Sequence, residues 1–223
     1  MHKLTREPEP SHRPTPHSPA AETLHLPTVA TVLESLEGVT YFTDPDRHIL
    51  ALGGTAWQSF ARENGAPNLT APESLIGRDL FDFVYGPSVR ETYARYLATL
   101  AAGERAVLRF EYRCDSPTRL RKMRMCISAV REGQSLLGFL FQSLMITEES
   151  RPPIDLFNAA AIQAEVAAHA CLPIVTLCSF CHRVADRDAK PADWVAPEVY
   201  YQRGGTSQVQ VSHGICPDCQ ARH

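Results

Sequence analysis

The chain has 223 residues, an apolar fraction of 44% and a formal net charge of −3. That length accommodates one or two domains with a real core, and the near-balance of charge argues against bulk attraction to nucleic acid or acidic membrane surfaces. No apolar run is long enough to span a bilayer, and residues 1–26 lack the apolar core of a secretory signal. The sequence therefore reads as a cytoplasmic, non-membrane protein with reduced thiols, which favours metal binding over disulfides for paired cysteines.

Residues 1–28 carry six prolines and four histidines among few bulky apolar side chains. Such a segment cannot offset its ordering entropy and is expected to be a disordered tail. Val32, Leu33 and Leu36 then recur at helical spacing up to Gly38. Residues 39–43 and 48–52 read as a hairpin around Asp44-Pro45-Asp46-Arg47, followed by a helix with Trp57, Phe60 and Ala61 on one face. Pro87 opens a longer helix with an apolar stripe of Val89, Tyr93, Tyr96, Leu97 and Leu100, closed by Gly103.

Three strands follow. Residues 107–114 alternate, with Leu108, Phe110, Tyr112 and Cys114 on one face; residues 120–130 alternate, with Met123, Met125 and Ile127 on one face. Residues 136–146 are more uniformly apolar, as expected of a strand buried on both faces. The order of elements fits an α+β domain in which a five-stranded antiparallel sheet curls against helices.

Residues 36–149 resemble a PAS-type sensor domain in this order of elements and in Gly38-Val-Thr-Tyr-Phe-Thr-Asp44, Ala56-Trp-Gln-Ser-Phe-Ala61 and Gly77-Arg-Asp-Leu-Phe-Asp-Phe83. The resemblance implies a sheet and helices enclosing a pocket for a small molecule or cofactor. The candidates facing it are Trp57, Phe60, Tyr96, Phe110, Met125 and Phe139, residues that also read as ordinary core. Haem-binding members commonly supply a histidine from the long helix, and residues 87–103 contain none. Photoactive flavin members share an Asn-Cys-Arg-Phe-Leu motif, which is missing here. Both cofactors are disfavoured and the ligand is unknown.

Pro152-Pro153 ends the third strand, and residues 159–170 are an alanine-rich helix former. Cys171, unpaired in spacing, reads as a buried small hydrophobe. Beyond a strand at 173–177 stand Cys178-Ser-Phe-Cys181 and Cys216-Pro-Asp-Cys219, with 34 residues between them. Two Cys-x-x-Cys turns brought together make a tetrahedral four-thiolate site, expected to hold a structural zinc. So small a module needs such a staple. Residues 184–194 read as polar and turn-rich, and Val209 and Val211 as a strand.

This part resembles a tail of bacterial sensory proteins. The matching residues are Leu172-Pro173, Cys178-Ser179-Phe180-Cys181, Arg183, Trp194 and Ser212-His213-Gly214-Ile215-Cys216-Pro217-Asp218-Cys219. His182 departs from it, standing where the tail usually has lysine. With four sulfurs completing the tetrahedron, His213 is expected beside the thiolates as a hydrogen-bond partner, and His182 as a bystander.

The expected organisation is a tail (1–28), a PAS-like domain (29–149), a helical linker (150–172) and a zinc-knuckle or ribbon-like module (173–223). A closed four-thiolate site has no open coordination position, and no phosphate-cradling loop, kinase motif set or nucleophile elbow is present, so no catalysis is expected. The chain reads as a signalling protein with a protein partner, compatible with a homodimer. One alternative is a small nucleic-acid-binding regulator, motivated by Arg105, Arg109, Arg113, Arg119, Arg121, Lys122 and Arg124; these lack an interleaved aromatic platform, which disfavours nucleic acid. The other is a c-type haem or thiol redox sensor using Cys178, Cys181 and His182.

Overall fold

Period-two alternation builds the first sheet. In the computed structural model, which describes residues 27–54, 56–63, 69–186 and 193–223, five strands pair antiparallel in the order β2-β1-β5-β4-β3. They are β1 (Val39–Thr43), β2 (Ile49–Gly53), β3 (Val107–Arg113), β4 (Arg119–Glu132) and β5 (Ser135–Ser150). Of the tail expected at 1–28, residues 1–26 lie outside the described residues, whereas Thr28 caps the first helix.

Helix α1 (Val29–Glu34) starts at Thr28, whose side chain accepts from the Thr31 backbone N–H at 3.2 Å. It buries Leu33 over the first hairpin, and the Leu33 carbonyl accepts from Thr40 Oγ1 at 3.2 Å. The hairpin turn is held by Asp44, whose carboxylate accepts from the His48 N–H at 2.7 Å. Helix α2 (Trp57–Glu63) and the longer α3 (Pro87–Ala101) cover the inner face of the sheet. Proline at the first position of α3 presets the helical φ, and Val89, Tyr96, Leu97 and Leu100 are buried beneath it.

The inner face is built from Phe110, Met125, Ile127, Phe139 and Phe141, with Tyr41 stacked on Phe141 at 4.5 Å. Strand β5 departs from the expected burial on both faces. Phe139, Phe141 and Ser143 are buried, whereas Leu140 and Leu144 opposite them are only half-buried, and Met145 and Ile146 are exposed. The apolar run of the strand therefore overstates its burial.

After the sheet, Pro152-Pro153 lead to helix α4 (Ala159–Ala168), capped by Asn158 Oδ1 on the Ala161 N–H at 3.1 Å. A second sheet, in the order β8-β7-β6-β9, contains β6 (Ile174–Cys178), β7 (Val184–Asp186), β8 (Asp193–Val195) and β9 (Gln210–Gly214). The turn-rich stretch expected at 184–194 thus holds two three-residue strands, with Ala185 opposite Trp194; residues 187–192 lie outside the described residues. Helix α5 (Pro197–Gln202) lies in the crossover that the parallel β6–β9 pairing requires, and α6 (Pro217–Gln220) follows β9. Cys171, expected to be buried, is exposed, and α4 just before it has no buried residue.

One apolar cluster crosses from sheet to sheet. Leu100, Phe110, Ile127 and Phe141 belong to it together with Cys178, Phe180, Cys216 and Cys219. A second cluster, with Ile154, Leu156, Val175, Leu177, Val184 and Val209, lies between the linker and the second sheet.

Candidate metal centre

Parallel register brings the two cysteine pairs together. Strand β6 pairs with β9 so that Cys178 lies opposite Gly214, and both chains leave the sheet at the same end. Each then closes one turn, the Cys178 carbonyl accepting from the His182 N–H at 2.9 Å and the Cys216 carbonyl from the Gln220 N–H at 2.8 Å. The turns are tied by Ser179 N–H to the Gly214 carbonyl at 2.9 Å and by an Arg183–Asp218 ion pair at 2.5 Å. His182 adopts a positive φ of 60°, the left-handed conformation that closes the first turn.

The sulfurs of Cys178, Cys181, Cys216 and Cys219 all lie within 4.8 Å of one another, with Cys181 and Cys216 at 3.6 Å. A tetrahedral zinc with Zn–S bonds of about 2.3 Å spaces its sulfurs at about 3.8 Å, so the cage has the right size. Donors surround it as they would thiolates: the Cys216 N–H reaches Cys178 Sγ at 3.4 Å, and Arg222 Nη2 reaches Cys219 Sγ at 3.2 Å. A hydrogen bond from Cys181 holds Cys178 well below the ordinary thiol range, against its burial, while giving that bond pushes Cys181 up. Burial pushes Cys219 up to about 12. A dication relieves this competition by letting all four thiols ionise.

The residues read as neighbours of the cage take other roles. No hydrogen bond among the described residues joins His213 to a cysteine sulfur; its ring lies 5.8 Å from that of Tyr85 in a cleft between the two sheets, and burial lowers its pKa. His182 is no bystander. Its ring stacks on Phe157 at 5.0 Å and its Nδ1 faces Asp115 Oδ2 at 3.4 Å. The Cys178 and Cys181 sulfurs turn toward the second pair.

Asp115, whose side chain is fully buried, is a hub that sequence reasoning missed. It accepts from Arg113 at 2.9 and 2.6 Å, from Arg151 at 3.0 Å and from the Arg121 N–H at 2.9 Å. Burial alone would raise its pKa, but His182 and Arg113 together with the remaining donors hold it well below the usual carboxylate range. The only sequence signal for it was its place beside Glu111 as one of two acids in the basic stretch 105–124.

The pocket candidates divide. Trp57 lines a cavity of about 250 Å³ between sheet and helices, where its Nε1 donates to the Leu69 carbonyl at 2.9 Å. Phe60 lines a smaller one of about 110 Å³ and Phe110 the cleft between the sheets. Tyr96, Met125 and Phe139 are buried in the shared core. Of the basic residues, Arg121 is buried against Glu63 and Glu148, Lys122 and Arg124 share Glu111, and Arg113 is bound to Asp115. Much of the apparent positive face is therefore neutralised within the fold.

No family model matches the chain and no curated protein matches it. Among solved structures, the chain is similar to the PAS domain of BvgS from Bordetella pertussis, at 14% identity over 62% of this chain and 91% of that one, with a TM-score of 0.41. It is also similar to a PAS domain from Colwellia psychrerythraea, at 14% identity over 53% and 93%, with a TM-score of 0.39. A C-terminal domain from Streptococcus mutans is similar at 15% identity over 53% and 82%, with a TM-score of 0.40. These likenesses are loose. The α+β assignment rests on the five-stranded antiparallel order β2-β1-β5-β4-β3, which fits a PAS-like fold. Among the described residues no helix is long and apolar enough to cross a membrane.

Proposed function

We propose that this protein is a non-catalytic signalling protein in which a PAS-like sensory unit is coupled to a structural four-cysteine zinc centre. The observation that carries the reading is the convergence of Cys178, Cys181, Cys216 and Cys219 inside the apolar cluster that also holds Phe110 and Phe141. Zinc is the metal favoured by four thiolates in a closed tetrahedron, where no coordination position is left for water or substrate. Packed side chains connect the sheet to the metal-bearing turns, a contiguous path along which coupling between the units can be carried.

Metal analysis of the purified full chain tests this directly. The expected content is about one zinc per chain, lost in Cys178→Ser and Cys216→Ser and kept in Cys171→Ser. Less than half an equivalent in the unsubstituted protein overturns the zinc reading.

The thiol redox alternative keeps one supporting observation, the half-buried Cys181 at the rim of the cage. Reversible zinc release under mild peroxide supports it; full retention makes the metal purely structural.

A further inference from the structure

Where the second sheet meets the first, two adjoining lobes of about 320 and 710 Å³ open into one cleft. Both are lined by Phe83, Tyr85, Cys114, His182 and His213. The cavity inside the first sheet adjoins the smaller lobe and shares Phe83, Val84 and Tyr93 with it, so these side chains are a partition between the two spaces. The cleft has the size and the mixed apolar and polar lining of a small-molecule site, and it lies at an interface between units, where such sites concentrate.

Its chemistry narrows the occupant. Aromatic rings dominate the walls: Tyr85 lies beside His213, Phe157 is stacked on His182, and Phe110 meets Phe180 edge-on at 5.6 Å. The charged groups on the walls are already neutralised, because Asp115 is bound by Arg113 and Arg151. Burial disfavours the charged form of His213, and no hydrogen bond engages its ring among the described residues. The cleft therefore offers flat apolar surfaces and an unengaged imidazole, with no net charge to recruit an ion.

We infer that this cleft is the ligand site of the protein and takes a neutral, flat aromatic molecule, recognised by the rings around Tyr85 and by a hydrogen bond to His213. The inference rests on the sensory reading above and deepens it. Four of the residues that line the cleft, Ser179, Phe180, His182 and His213, belong to the turn and strand that carry the cysteines. A molecule seated there touches both units at once, and its binding energy is available to hold the metal-bearing turns against the first sheet.

The test titrates the full-length, zinc-assayed protein with N-phenyl-1-naphthylamine, a neutral aromatic probe that fluoresces in apolar surroundings. Saturable binding at a single site is expected. Tyr85→Ala removes an exposed wall residue (62% exposed) that the core does not need, and Gln163→Trp puts bulk into the larger lobe from the surface of α4. Each is expected to weaken binding roughly tenfold. Trp57→Phe, in the inner cavity only, is expected to leave it unchanged. Saturating probe is also expected to slow zinc transfer to a chromophoric chelator.

Absence of saturable binding by zinc-loaded protein overturns the ligand site and leaves the metal reading standing. Binding weakened by Trp57→Phe and indifferent to Tyr85→Ala and Gln163→Trp moves the site to the inner cavity and overturns the inference. Unchanged zinc transfer at saturating probe overturns the proposed link to the metal turns. A zinc-free preparation that still binds the probe in the cleft fails the metal reading alone.

Discussion

A buried carboxylate held by two guanidiniums, an imidazole contact and a backbone N–H fixes where the first cysteine turn can sit. Asp115 is that group, and Arg151, only 6% exposed, pairs with it at 3.0 Å and more loosely with Glu198 at 3.7 Å. Replacing Asp115 by asparagine leaves the buried Arg151 with only its longer contact to Glu198 at 3.7 Å, and breaking a buried pair of this kind costs about 3–5 kcal/mol. Urea unfolding at neutral pH is expected to show that loss. The sign with pH follows from the lowered pKa. The stabilisation is fully present above the ordinary aspartate value of 3.8 and is lost as pH falls through the depressed folded value. The gap between native and Asp115→Asn stability is therefore expected to hold from neutral pH down to about pH 4 and to narrow below it. A gap that narrows already between pH 7 and 5 would contradict this. None of this was legible in the sequence, because the partners of Asp115 come from β3, β4, the linker and the cysteine turn, and spacing along the chain does not reveal their meeting. His182 was misread for the same reason.

At the scale of elements, the seam between the sheets is made by β3 and the first cysteine turn. The Arg113 N–H donates to the Phe180 carbonyl at 2.8 Å, and the His223 ring stacks on Phe180 at 3.9 Å while its Nδ1 lies 2.8 Å from Tyr96 Oη. Phe180→Ala is expected to cost about 3–5 kcal/mol by cavity formation in a packed core, and denaturant unfolding measures it. Gly86 marks a second close approach. It has a φ of 93°, and a Cβ there would run into the backbone oxygen of His213. Gly86→Ala is expected to destabilise by more than about 1 kcal/mol, and a neutral result would show that the loop and β9 are free to separate. The first sheet could be read from residues such as Met123, Met125 and Ile127, because alternation over long strands leaves little ambiguity. Strands of three residues, Val184–Asp186 and Asp193–Val195, are too short to show a period. Helix α5 is hidden likewise, its only signals being Pro197 at the start and Glu198 in the first turn. The approach of the two Cys-x-x-Cys pairs followed from their spacing, whereas the parallel register of β6 and β9 that aligns them did not.

In the whole molecule, the metal centre and the PAS-like sheet are expected to stand or fall together. Cysteine sulfurs, Phe180 and the inner face of the first sheet occupy one apolar cluster, so removal of the metal should loosen both units. The protein carries its own reporters, since its two tryptophans are divided between them: Trp57 lies against the inner cavity of the first sheet and Trp194 in β8 of the second. Tryptophan-to-phenylalanine variants isolate each signal. The most direct measurement is urea unfolding of zinc-loaded and chelator-treated protein, followed separately at Trp57 and Trp194. Coincident transitions that both move to lower urea when the metal is removed are the expected result. A Trp194 transition that moves alone while Trp57 stays in place, or no movement of either, would contradict the claim.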